Sequence, residues 1–164
     1  MARRFWRHLV TDHWSARRAF PSGALQHIER AIAVGERDHL GQVRFVVEAS
    51  LALPSVLRRE SPRDRALEVF GRLRIWDTEH NSGVLVYLLL ADKAVEIVAD
   101  RGIHRRVGDE LWQTICRRME AAYRAGRFED GAVAGVEAIS ALLTQHFPRS
   151  APGTNELPDR PLVL

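Results

Sequence analysis

Val84-Leu-Val-Tyr-Leu-Leu-Leu-Ala-Asp-Lys-Ala-Val-Glu-Ile-Val-Ala99 is the stretch whose reading decides the fold. Its first eight residues are uninterruptedly apolar, a strand's length and far short of the roughly 18 a spanning helix needs. A strand with no polar face is buried on both sides, under helices. Asp92-Lys93 then reads as a two-residue turn into a second strand, Ala94 to Ala99, so the pair forms an antiparallel hairpin.

Upstream, Ser61-Pro62-Arg63-Asp64 joins an N-cap serine, a proline at the first helical position and an acid three residues after the cap. A helix therefore runs to about Ile75, with Ala66, Leu67, Phe70 and Leu73 on its apolar face. Before it, Gln42 to Ala49 alternates Val43, Phe45 and Val47 against Arg44, Val46 and Glu48, which predicts a strand. Leu25, Ile28 and Ile32 recur at helical spacing over residues 23 to 38. Downstream, Leu111, Trp112, Ile115, Met119, Ala122 and Tyr123 predict one helix, and Val133, Val136, Ile139, Leu143 and Phe147 another. The order αβαββαα predicts an α/β fold, a three-layer α/β/α sandwich around a small mixed sheet. Residues 1–21 read as a basic, aromatic lead, 22–148 as the domain, and 149–164, with Pro152, Pro158 and Pro161, as a loose tail.

With 46% hydrophobic and 27% charged residues, the 164-residue chain has the composition of a globular protein. A single cysteine, Cys116, excludes an internal disulfide framework and any CxxC metal site. Arg3, Arg4 and Arg7 open the chain, but no apolar run follows as a secretory leader requires, and the expectation is a cytoplasmic protein. The net charge of +3 invites a nucleic-acid partner, and its distribution argues against one. Residues 1–75 hold 14 basic and 8 acidic side chains, residues 76–100 hold Lys93 against five acids, and residues 101–128 hold seven arginines against three acids. The middle of the chain is an acidic island between arginine-rich blocks. In the lead, Phe5, Trp6, Leu9, Val10 and Trp14 can share a helical face, suited to a membrane surface or to packing on the domain.

Phosphate-binding glycine loops, the G-x-S-x-G elbow and HExxH are all absent. The acids fall in a more telling pattern. Glu48 and Asp100 end strands, Asp77 and Glu79 precede the central strand, and Glu129 and Asp130 open the last helix. Carboxylates converging with backbone carbonyls suit a hard cation, while the same residues singly also serve as turn and helix caps.

Trp76-Asp-Thr-Glu-His-Asn-Ser-Gly83 with the strand after it, Val95-Glu-Ile-Val-Ala-Asp-Arg-Gly-Ile103, and Ala125-Gly-Arg-Phe-Glu-Asp-Gly131 together resemble the TPM domain family over about residues 22 to 148. That family is named for a thylakoid-lumen acid phosphatase, a photosystem repair protein and a nematode acetylcholine-receptor modulator. The chain looks closest to a short bacterial branch without a membrane anchor. The resemblance implies an α/β/α sandwich, acid-phosphatase activity on a phosphate-ester substrate, and divalent-cation binding, chiefly calcium. By position the site comprises the loop before Asn81-Ser82-Gly83, the Asp100-Arg101-Gly102 turn, and Phe128 to Gly131. Exported members carry Gly-x-Gly where this chain has Asp100-Arg101-Gly102. The expected chemistry is that Asp77, Asp100 and Asp130 hold Ca²⁺ or Mg²⁺ and Arg101 clamps phosphate oxygens, with Asp100 and Arg101 catalytic. Glu48, Glu79, Asn81 and Glu129 support that set. The alternative is a non-catalytic calcium-binding or adaptor domain that engages a membrane-associated protein partner.

Overall fold

The computed structural model describes residues 2–150 and 154–164. Two short helices, α1 (Ala2–Val10) and α2 (His13–Ala19), lead into α3 (Ser22–Gly35), and then come β1 (Gln42–Glu48), α4 (Leu53–Leu57) and α5 (Pro62–Arg72). The hairpin β2 (Gly83–Leu89) and β3 (Ala94–Ala99) is followed by α6 (Arg101–Val107), α7 (Asp109–Arg124) and α8 (Phe128–His146). A last short strand, β4 (Leu162–Val163), ends the order.

The sheet runs β3-β2-β1-β4, with β1 parallel to β2 and to β4 and β2 antiparallel to β3. Every residue of β2 is buried, as its unbroken apolar run requires. Strand alternation sorts the sheet's side chains into two cores. Val43, Phe45, Val47, Val84, Val86 and Leu88 pack under α3, α7 and α8, and Val46, Leu85, Tyr87 and Leu89 pack against α4 and α5. The three-layer α/β/α sandwich is thus built from one sheet with helices on each face. At Ser61 the capping box forms as its spacing predicts, Asp64 N–H donating to Ser61 Oγ at 3.1 Å.

Two details depart from the sequence reading. The hairpin turn occupies residues 90–93, where Leu90 N–H donates to Glu48 O at the end of β1 and Ala91 N–H to Ala49 O just beyond it. Lys93 closes it with a φ of 50°. The end of the chain is not loose. Val163 pairs with Val47, Leu164 N–H donates to Val47 O at 2.8 Å, and Leu157 is buried. Arg44 holds this segment by donating from Nη1 to Pro158 O at 2.6 Å and to Arg160 O, so the free edge of β1 is covered. Pro158 and Pro161 break helical periodicity without preventing edge pairing, which pattern alone does not reveal.

The lead packs on the domain. Arg4 and Arg7 donate to Asp92 at 2.9 and 2.7 Å, and buried His8 lies 3.2 Å from the same carboxylate while its Nδ1 accepts Leu51 N–H. This directs Trp6, Leu9, Val10 and Trp14 outward, with Trp14 72% exposed. Among the described residues no helix is long and apolar enough to cross a membrane.

Candidate functional site

The antiparallel hairpin fixes where Asp100 falls. Val84 faces Ala99, so the end of β3 lies beside the start of β2, and Asp100 N–H donates to Gly83 O at 2.9 Å. The chain reaches Gly83 through the loop 76–82, which Thr78 ties off by accepting Ser82 N–H on Oγ1 at 2.8 Å. Asn81 sits in the left-handed region at a φ of 49°, a conformation asparagine tolerates. Glycine is needed on both sides of this junction. A Cβ on Gly83 would lie 1.9 Å from Ile75 O, and one on Gly102 would lie 2.9 Å from Asn81 O.

The loop 77–83 and the turn 100–102 therefore meet at the N-terminal edge of β1 and β2. Asp100 Oδ1 accepts Arg101 N–H at 2.6 Å, while Oδ2 is buried without a partner. Ser82, 2% exposed, also has an unpartnered Oγ. The residues that carry these two orphaned oxygens flank the hydrogen bond from Asp100 N–H to Gly83 O, and the Asn81 and His80 carbonyls lie against Gly102. The donor set is oxygen alone, the chemistry that hard cations such as Ca²⁺ prefer. Arg101 is exposed next to Asp100 and makes no ion pair among the described residues.

The expected metal triad is not assembled. Asp77 lies in the same loop as Asn81, exposed, its N–H donating to Arg74 O, and Glu79 N–H donates to Glu156 Oε2 of the returning tail. Asp130 stands at the opposite edge. It begins α8, whose Phe128 ring lies 5.8 Å below Lys93 Nζ of the hairpin turn, and it lines a cleft with Arg118 and Arg127. The physical reason is topological. A hairpin reverses direction, so the end of β3 cannot share an edge with the end of β1, and α8 starts at the latter. No group of three or more His, Cys, Asp or Glu side chains among the described residues is arranged to hold a metal ion.

Two of the supporting residues are committed elsewhere. Glu48 accepts from Arg65 Nε and Nη2 at 2.9 and 2.8 Å and from Tyr87 Oη at 2.7 Å, a closed network at the C-terminal edge. Burial and that carboxylate push the Tyr87 hydroxyl far above its ordinary range. Glu129 pairs with His27.

Sequence reasoning missed Ser82, although a polar Thr78-x-x-x-Ser82 spacing in a short loop is a usable signal for a hydroxyl-closed turn. It also missed Glu36 and His39, buried just before β1. Glu36 Oε1 accepts Val43 N–H at 2.7 Å, and burial pushes its carboxyl up to about 8. Burial lowers His39 to about 4, so it is neutral and Nδ1–H donates to Gly41 O at 3.1 Å.

Fold and edge loop together define a small α/β/α domain with an oxygen-lined junction at the N-terminal edge of its sheet. Residues 17–142 match the model of the TPM domain, and the chain belongs to that family. A solved structure similar to it is the NMR structure of the BA42 protein from the psychrophilic bacterium Bizionia argentinensis, 28% identical, with a TM-score of 0.77. The match covers 88% of this chain and 94% of that one. No curated protein matches the chain.

Proposed function

We propose that this TPM domain is a cation-binding module whose site is the junction of the loop 77–83 with the Asp100-Arg101-Gly102 turn. The observation that carries this reading is the pair of buried, unpartnered oxygens, Asp100 Oδ2 and Ser82 Oγ. A buried acceptor with no donor costs about 1–3 kcal/mol, and a bound cation removes that cost. Asp100 would supply the charged ligand, Ser82 a neutral one, and the His80 and Asn81 carbonyls the remainder. One carboxylate makes a weak site, in the range of about 10⁻⁴–10⁻³ M typical of low-charge calcium modules. When bound, the ion supplies positive charge at the surface beside Arg101, which suits recognition of an acidic partner.

Heteronuclear NMR with Ca²⁺ and then Mg²⁺ tests the reading. Saturable shifts at the amides of residues 78–83 and 100–102, absent in Asp100→Asn, are expected. Shifts that persist in the variant, or that avoid these amides, refute it.

Arg101 favours a second reading, phosphatase-like hydrolysis, because a free guanidinium directly follows the candidate ligand. There Arg101 would clamp phosphate oxygens beside a bound ion. Turnover of an aryl phosphate in metal-replete buffer, lost in both Asp100→Asn and Arg101→Gln, would establish it. Turnover equal to background in the parent protein removes it and leaves the binding module.

A further inference from the structure

We infer that the opposite edge of the sheet carries a second site, a cleft that binds a small planar organic anion. The cleft has a volume of about 510 Å³, within the range of small-molecule sites, and lies beyond the C-terminal ends of parallel β1 and β2. Arg7, Arg18, Lys93, Thr11, Ser15 and Phe128 line it. Three of these six are cations. Arg7 is held by Asp92 at 2.7 Å, whereas Arg18 and Lys93 make no ion pair among the described residues. Asp92 already takes Arg4 and Arg7, with His8 beside it, and Asp12 caps α2 through Ser15 while Arg18 lowers its carboxyl further.

Two observations specify the ligand's shape and charge. The Phe128 ring is fixed from behind, stacked on Tyr123 at 5.5 Å between centroids and edge-on to Phe20 at 5.7 Å, so it offers a preset flat surface next to the charges. Lys93 Nζ already stands over that ring at 5.8 Å. An oxyanion facing Arg18 and Lys93, carried on a flat body resting at Phe128, would pair with both of these cations. The shared chemistry is an oxyanion on a planar body, whether phosphonate or carboxylate. This site stands independently of the cation junction, which lies at the other end of the strands.

The test is a titration of the full chain with phenylphosphonate, followed by amide shifts at Thr11, Lys93, Gly126 and Phe128. Saturable shifts at these positions are expected, weakened about fivefold in Arg18→Gln and in Lys93→Asn, the loss of one charge-assisted contact each. Asparagine keeps the left-handed backbone at 93, and Arg18 is exposed, so both variants should fold; unchanged circular dichroism checks this. Asp100→Asn should bind phenylphosphonate like the parent even if it loses calcium. Phthalate binding more tightly than phenylphosphonate identifies a carboxylate ligand, and the reverse a phosphoryl one. The inference is overturned if the cleft amides stay still at millimolar ligand, or if both charge variants titrate like the parent. It is equally overturned if inorganic phosphate matches phenylphosphonate, or if only phosphatidylglycerol vesicles move these amides.

Discussion

At the C-terminal edge of the sheet Glu48 and Asp92 are paired with cations, whereas at the N-terminal edge Glu36 and Asp100 make no ion pair among the described residues. Glu48 is held by Arg65 and Tyr87, and Asp92 by Arg4 and Arg7, all at 2.7–2.9 Å. Across the sheet, Glu36 leans on a backbone amide and a weak contact from Gln42, and Asp100 satisfies only one of its two oxygens. Paired carboxylates close a structure, and unpaired ones stay open to titration or to ligands. The acidic side chains of this chain are therefore divided between two tasks, and composition cannot separate them.

Breaking the pairing at the C-terminal edge should have the largest effect. Arg65→Met leaves the Glu48 carboxylate buried with only Tyr87 to solvate it, and loss of one partner of such a pair costs about 3–5 kcal/mol. Chemical denaturation should show a lower midpoint of that size at neutral pH. Adding Glu48→Gln should restore much of the loss by removing the stranded charge. If Arg65→Met costs under about 1 kcal/mol, the network is a surface pair and the contrast between edges fails.

The N-terminal edge should betray itself through pH. Glu36 titrates at about 8 in the folded protein against 4.5 unfolded, so between these values the native state binds the extra proton. Stability then falls as pH rises through that window. His39, lowered to about 4, acts oppositely below 6.5, because there the unfolded chain takes the proton, so stability rises with pH. The two overlap between 4.5 and 6.5, and the Glu36 contribution stands alone between 6.5 and 8. A decline on the order of 1–2 kcal/mol across that interval is expected, flattened by Glu36→Gln. An unchanged slope in the variant would show that another group is responsible.

Most of the fold was legible because its signals are local. The apolar run 84–91, the alternation around Phe45 and the Ser61 capping box each specify an element without help from the rest of the chain. The site was half legible. The loop at Asn81 and the turn at Asp100, which the family resemblance puts together, are adjacent because Gly83 and Gly102 allow two backbones to touch. Asp130 does not join them, since which sheet edge a helix start reaches depends on strand direction, a property of the assembled sheet. The strand at Leu162 was illegible for a related reason: two residues carry no periodicity, and Arg44, Gln42, the burial of Leu157 and the open edge of β1 recruit them. Arg44→Ala should therefore cost only about 1 kcal/mol, yet speed hydrogen exchange at Leu164 while leaving the β2–β3 hairpin protected. Faster exchange in the hairpin as well would make the tail part of the cooperative core.

The smallest change in stability is expected where the functional change is greatest. Asp100→Asn keeps an oxygen to accept Arg101 N–H, so the start of α6 survives, and asparagine caps about as well as aspartate. It also removes the charge from the orphaned carboxylate oxygen. The apo proteins should thus unfold within about 0.5 kcal/mol of each other. Calcium at tenfold the dissociation constant should stabilise the parent by about 1.4 kcal/mol through mass action and leave the variant unmoved. Ser82→Ala should fall between them, since it removes a neutral ligand and keeps the charge. Equal calcium stabilisation of all three proteins would place the ion away from Asp100, and the open carboxylate of this edge would then be a tolerated defect of packing.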